Sequence, residues 1–142
     1  MGALLAALIL GASAVGGWFT WQHMHARMAR PVPPAILQFS ATVASLGWAH
    51  EADVVSPVMV QPGLEFDVML SAKGDERQVH IERYHLPEQA AAQAQRLQRI
   101  PAGQGDRAVG IYVLSLRNWA ATDPLLPRLQ ASFEAWAREA GR

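Results

Sequence analysis

The clearest pattern of hydrophobic and polar positions lies at residues 64–71. Large apolar side chains occupy alternate positions there, and mostly polar residues stand between them. Successive side chains of a strand point to opposite faces of a sheet, so this alternation predicts a half-buried β-strand.

A second strand is predicted at residues 77–85, after a tight turn at residues 73–76. The register that sets Leu70 opposite Val79 keeps apolar residues on one face of the hairpin. A slip of one residue would place Leu70 against a polar side chain. The pattern therefore predicts one register. Its polar face carries Glu65, Asp67, His80, Glu82 and Tyr84.

Residues 36–46 fit two periods. The alternation favours a strand, whereas Ile36, Phe39, Val43 and Leu46 also fit one face of a helix. We expect the strand and keep the helix as its alternative. Residues 54–60 are apolar, but Pro57 cannot donate a ladder hydrogen bond, so a strand there would lie at an edge.

Two further elements follow the hairpin. Pro87 suits the first turn of a helix that continues to residue 99, with an inner stripe of Ala90, Ala94 and Leu97. Residues 108–116 are apolar at both odd and even positions. That pattern predicts a central strand covered on both faces.

The last element is a helix with an apolar stripe along one face. Asp123 can cap its first amides, and it begins either at Pro124 or at Pro127. Together the elements predict an α+β domain at residues 35–142. Its mainly antiparallel sheet of four or five strands would be covered by two helices.

The first thirty residues differ from this domain. Residues 2–21 contain no charged side chain, and a helix of that length reaches about 30 Å, enough to cross a bilayer. Aromatic residues and then Arg27 and Arg30 follow. We expect a single transmembrane anchor with its flank at residues 1–30, then a proline-rich linker at residues 31–34.

A cleaved signal peptide is the competing interpretation, but no basic residue precedes the apolar run. The anchor predicts a single-pass protein of a bacterial inner membrane. The positive-inside rule favours a cytoplasmic domain, by the margin of Arg27 and Arg30. Small bacterial proteins with one N-terminal span often have the opposite orientation, so a periplasmic domain remains the alternative.

Small residues recur at a spacing of four within the predicted span. This spacing allows two membrane helices to approach closely, and so a homo-oligomer or a larger membrane complex could form through the span. The predicted packing residues are Ala12, Ser13, Gly16 and Gly17.

The amino-acid composition excludes several classes of function. The 142 residues contain twelve basic and twelve acidic side chains and no cysteine. A disulfide scaffold, a cysteine zinc site and a catalytic thiol are thereby excluded, and no basic surplus favours nucleic-acid binding. From Pro31 onward ten basic residues face twelve acidic ones, so this part carries a formal charge of −2.

Candidate chemistry is sparse. No catalytic, cofactor-binding or metal-binding motif is present, so we expect no enzyme activity and no cofactor. On the hairpin, the predicted register sets Asp67 against Glu82 and Glu65 against Tyr84. Opposed like charges cost stability unless a cation or a basic partner lies between them, although both carboxylates can also simply face water.

Two tryptophans fall outside the predicted elements. Trp48 and Trp119 are candidates for a partner interface, where loop tryptophans are enriched, or for closing the ends of the small core, which we favour.

The sequence thus predicts a membrane-anchored, non-enzymatic domain that binds a protein partner, as accessory, assembly or toxin-immunity proteins do. A subunit held in a larger complex through its span is one alternative. A small enzyme or ligand-sensing domain with an unrecognised pocket is the other.

Overall fold

A computed structural model describes residues 31–55, 61–100 and 105–142. Within it, residues 32–142 form one compact unit. The predicted transmembrane anchor and its packing residues Ala12, Ser13, Gly16 and Gly17 lie outside the described residues. In the part of the chain that is described, no helix has the length and hydropathy needed to cross a membrane.

The described residues of this unit form an α+β fold with three helices and five strands. In chain order they are α1 (Pro34–Ser45), β1 (Glu51–Val55), β2 (Leu64–Ser71), β3 (Gln78–Tyr84), α2 (Pro87–Gln98), β4 (Arg107–Val109), β5 (Tyr112–Arg117) and α3 (Leu126–Ala140). The strands form one antiparallel sheet in the order β1-β2-β3-β5-β4, so β3 is central. The predicted α+β class and antiparallel sheet are confirmed.

The β2–β3 register is the predicted one along most of the hairpin. Leu70 pairs with Val79, and the register holds from there to Phe66, which pairs with Arg83. An irregularity between Leu64 and Phe66 then places Leu64 opposite Tyr84. The predicted pairing of Glu65 with Tyr84 is therefore wrong, because a bulge shifts the register by one residue at that point.

The expected strand at residues 36–46 is also wrong, since α1 occupies this segment. Ile36, Phe39 and Val43 are fully buried, whereas Leu37 is 51% exposed. A strand would have buried Leu37 with Phe39, but the spacing of three and four buries one helical stripe instead. The domain consequently has three helices rather than two.

The single strand expected at residues 108–116 is in fact the hairpin β4–β5. Gly110 at its turn has a φ of 57°, a left-handed conformation that glycine adopts without strain. β5 is the covered strand, since residues 112–116 are all buried, and the three-residue β4 forms an edge of the sheet.

The two predicted helices are present. In α2 the stripe of Ala90, Ala94 and Leu97 is buried as expected, together with Gln93. α3 begins at Leu126, later than Pro124, and Asp123 Oδ1 accepts a hydrogen bond from the backbone N–H of Leu125 at 2.9 Å.

The helices cover the two faces of the sheet unequally. On one face the main core cluster combines the sheet with α1 and α3, and Trp136 Nε1 on α3 donates to the carbonyl of Ala35 at 3.0 Å. On the other face α2 forms a smaller cluster with Tyr84 and Val113. Val55 and Met69 belong to neither cluster, so the apolar cover on this second face ends before β1.

Trp48 and Trp119 lie in the main core and are only 4% and 8% exposed. Their rings meet edge to face, with centroids 5.3 Å apart. Trp48 Nε1 donates to Asp75, and Trp119 Nε1 donates to the carbonyl of Gln78, each at 3.0 Å. Both side chains therefore close one end of the core.

Arg77 joins the same end of the fold. Its guanidinium carbon lies 4.9 Å from the ring centroid of Trp119 and 5.8 Å from that of Trp48. It forms ion pairs with Asp75 at 2.7 Å and Asp123 at 3.0 Å. Its hydrogen bonds hold the pKa of Asp75 well below the usual range. One side chain thus connects the loops that precede β1, β3 and α3.

We expect Arg77→Lys to lower the free energy of unfolding by about 1–2 kcal/mol, because an ammonium cannot pair bidentately and stack on two rings at once. Urea unfolding followed by tryptophan fluorescence measures this. Arg138→Lys is the control, since Arg138 forms an exposed pair with Glu134 and should cost under about 0.5 kcal/mol. Equal effects of the two substitutions would contradict this role of Arg77.

Candidate functional site

Polar side chains gather on the face of the sheet that α2 covers only in part. The alternation of β3 points His80, Glu82 and Tyr84 toward this face, while Val79 and Ile81 enter the main core. Asp67 on β2 lies directly opposite Glu82. The structure therefore brings together four of the five residues predicted on the polar face of the hairpin.

Asp67 and His80 form a hydrogen-bonded pair. The Nδ1 atom of His80 lies 3.0 and 3.1 Å from the two carboxylate oxygens of Asp67. Both side chains are mostly buried, with 16% and 18% of their surface exposed. The carboxylate orients the imidazole so that Nδ1 carries a proton and Nε2 is directed elsewhere.

Glu82 is only 6% exposed. Its Oε2 lies 2.6 Å from the hydroxyl of Tyr84. Burial raises the pKa of Glu82, and the charge of Asp67 raises it further, against the opposing hydrogen bonds from Tyr84 and Gln93. Asp67 pairs with His80, and Glu82 accepts a hydrogen bond from Tyr84, so each of the two opposed carboxylates has a partner of its own.

Tyr84 links Glu82 to the loop before β2. Its hydroxyl lies 2.7 Å from Oε1 of Gln61 as well as 2.6 Å from Glu82. A phenol has one proton and cannot donate to two acceptors. The hydroxyl of Tyr84 therefore donates to either Glu82 or Gln61 at any one time, and both acceptors lie within reach. Burial also raises the pKa of Tyr84, so the phenol stays neutral.

Helix α2 extends the network on its own side. Gln93, itself 6% exposed, lies close enough to Glu82 to lower its pKa and accepts a hydrogen bond from Arg96. Beside these groups lies an open cleft of about 250 Å³. Its lining includes Gln61, Pro62, Tyr84, Gln89, Gln93 and Arg96.

The glutamines and Arg96 were missed because polar residues on a helix are usually solvated. The sequence does carry a signal, since Gln89, Gln93 and Arg96 recur at spacings of four and three. This places them on one face of α2, beside its buried alanine stripe. Gln89 packs against Gly63, where a side chain on Gly63 would collide with its carboxamide.

Three predicted site residues lie elsewhere. The bulge directs Glu65 away from Tyr84, and its carboxylate, 40% exposed, pairs with Arg83 at 3.2 Å. Trp48 and Trp119 are in the core, as described above. Among the described residues, no group of three or more potential ligand side chains is arranged to hold a metal ion.

The partly covered face continues to β1, which is an edge of the sheet. Asp53 pairs with Met69 and Glu51 with Ser71, so both acids point to the same face as Asp67. Glu51 and Asp53 are exposed and form no ion pair with a described residue. We call these two residues the acidic edge. They were not predicted as site residues, because the apolar pattern placed the edge strand at residues 54–60, of which 56–60 lie outside the described residues.

Comparison of the chain with protein-family models, with curated proteins and with solved structures found no match. Any inference about function therefore rests on the geometry of the chain itself.

We expect Glu82→Gln to stabilise the protein increasingly as the pH rises. Because the pKa of Glu82 is raised in the folded state, the wild type loses stability as the pH rises above 4.5, the ordinary value, through the raised one. Glutamine keeps the shape and cannot ionise. Urea unfolding at about pH 5 and about pH 8 should show a larger advantage of the variant at the higher pH.

Glu65→Gln is the matched control, since it removes an exposed carboxylate from the same strand pair. Its effect on the free energy of unfolding should change little between the two conditions. A Glu82→Gln effect that is equally constant would show that Glu82 ionises as freely in the fold as in the unfolded chain.

Proposed function

We propose that the protein is a membrane-anchored binding domain that holds a basic, extended segment of a protein partner along β1. The observation that carries this proposal is the acidic edge. Within the described residues, β1 pairs with β2 alone, which leaves its outer backbone groups available to a further strand.

The charges of the edge favour a basic partner segment. Glu51 and Asp53 stand two residues apart on one face of β1. An added strand with Lys or Arg at alternate positions would set cations beside these carboxylates, and opposite charges on neighbouring strands attract. A second copy of β1 would instead bring carboxylates together, which disfavours self-pairing at this edge.

Backbone hydrogen bonds and charge supply different parts of such an interaction. The main-chain ladder would supply affinity without much sequence preference, while the carboxylates select basic residues and reject acidic ones. The face beside β1 adds the apolar side chains of Val55 and Met69, which are half-buried and lie outside both core clusters. A segment that alternates basic and apolar residues fits this surface best.

The predicted anchor completes the proposal. An apolar run of twenty residues at 2–21 would keep the domain at a membrane, so that partner binding is confined to that surface. This is the arrangement of an accessory or immunity protein that positions or neutralises a partner rather than one that transforms a substrate.

The full-length protein in detergent should bind an acetylated and amidated peptide of alternating Lys and Val, measured by fluorescence anisotropy. The double substitution Glu51→Gln with Asp53→Asn should weaken binding about three- to tenfold, since two exposed ion pairs are lost. The same peptide with N-methylated backbone amides should not bind, because it keeps the charges and loses the hydrogen bonds.

The double variant Glu88→Gln with Glu139→Gln is the matched control. It removes two exposed carboxylates from α2 and α3 and leaves β1 unchanged. If it weakens binding as much as the β1 variant, the attraction reflects overall charge. Equal binding of the N-methylated peptide would show that the edge is not extended by a strand.

Membrane attachment has its own test. The full-length protein should sediment with membranes after carbonate extraction, and Leu8→Arg with Val15→Arg should release it. Each arginine near the centre of a span costs about 2.5–3.5 kcal/mol. Leu37→Arg on the exposed face of α1 is the control and should stay in the membrane fraction. Recovery of the unsubstituted protein in the soluble fraction would contradict the anchor.

A further inference from the structure

The cleft between α2 and the loop before β2 presents an excess of hydrogen-bond donors. The carboxamide oxygens around it are already occupied. Gln61 Oε1 accepts from Tyr84, Gln89 Oε1 accepts from the backbone N–H of Leu86 at 3.2 Å, and Gln93 Oε1 accepts from Arg96. What remains for a ligand is therefore mostly N–H.

The free donors lie on two sides of the cleft. Within the described residues, Nε2 of Gln61 and Nε2 of Gln89 have no hydrogen-bond acceptor, and Arg96 uses only Nη2. Gln61 belongs to the loop before β2, whereas Gln89 and Arg96 belong to α2. Donors from two separate elements thus line one concave space, as in sites that hold a small ligand.

Charge determines which ligand these donors fit. Among the described residues that line the cleft, Arg96 alone is charged. Glu82 is buried and its Oε2 accepts a hydrogen bond from Tyr84, so it does not line the cleft. An acceptor with one negative charge therefore matches the cleft, because it receives an ion pair from Arg96 and hydrogen bonds from neutral amides.

The size of the cleft and its apolar walls restrict further which ligands fit. A volume of about 250 Å³ lies below the roughly 300–1,000 Å³ of drug-sized ligand sites. Pro62 and Ala92 supply apolar lining beside the ring of Tyr84. The shape thus suits a few carbon atoms attached to the anionic group, and a dianion such as phosphate would leave one charge without a partner.

We propose that this cleft binds a small carboxylate, with Arg96 as its ion-pair partner and the carboxamides of Gln61 and Gln89 as its hydrogen-bond donors. The carboxylate can belong to a free metabolite or to the C-terminus of a polypeptide, because both present the same group. This site is separate from the acidic edge and does not depend on the function proposed for it.

Nuclear magnetic resonance titration of the full-length protein tests the site. Propionate should shift the side-chain amide resonances of Gln61 and Gln89, whereas propionamide, which has the same shape and no charge, should not. Arg96→Gln should raise the dissociation constant for propionate at least about tenfold, since the charged hydrogen bonds are lost. Arg99→Gln is the matched control, because Arg99 is exposed at the end of α2 and should leave affinity within about twofold.

A titration with acetyl-dialanine distinguishes a free metabolite from the C-terminus of a polypeptide as the source of the carboxylate. If the site accepts the C-terminus of a chain, acetyl-dialanine with a free carboxylate binds and its C-terminal amide does not. If the ligand is a small metabolite, propionate binds and neither form of the dipeptide does. Either result supports a carboxylate site. Equal shifts with propionamide, stronger binding of inorganic phosphate than of propionate, or unchanged affinity in Arg96→Gln would overturn it. Failure here leaves the peptide experiment on β1 unaffected, and the reverse also holds.

Discussion

The pairing of β3 with both of its neighbours determines on which face of the sheet its polar side chains lie. Its odd residues Val79 and Ile81 enter the main core, and this fixes its even residues on the opposite face. A slip of one residue against β2 or β5 would bury His80 and Glu82 in an apolar core, at a cost of several kcal/mol. The burial of Val79 and Ile81 in the core therefore determines which side chains of β3 lie on the polar face.

The unequal cover of the sheet explains how that polar face behaves. Where α2 lies over β3 and β5, polar groups are buried and must satisfy one another, so Glu82, Tyr84 and Gln93 form a network with Gln61 and Arg96. Toward β1, carboxylates face solvent and remain unpaired with any described residue. The same face of the sheet thus carries buried polar groups beneath α2 and exposed carboxylates on β1.

Much of the fold could be predicted because local periodicity reports burial directly. The alternation in β2 and β3 fixed their register, and the stripe of α3 was clear at helical spacing. The segment of α1 fits both periods, and only packing against α3 decides it. The bulge at Glu65 and the turn at Gly110 depend on backbone geometry that no apolar pattern records. Likewise Gln93 looks like a solvated helix residue until the sheet beneath it is known.

The two helices on the main core come from opposite ends of the compact unit. Phe39 on α1 contacts Phe133 and Trp136 on α3, with ring centroids 5.9 and 5.0 Å apart, and the Trp136–Ala35 hydrogen bond spans 101 residues. Contacts between residues so distant in sequence form late in folding, because a large loop must be ordered first. During synthesis α1 leaves the ribosome well before α3, so its apolar stripe lacks the cover of α3 until then. The apolar stripe of α1 is therefore incompletely covered until α3 has been made, an interval in which a chaperone or a membrane surface can hold it.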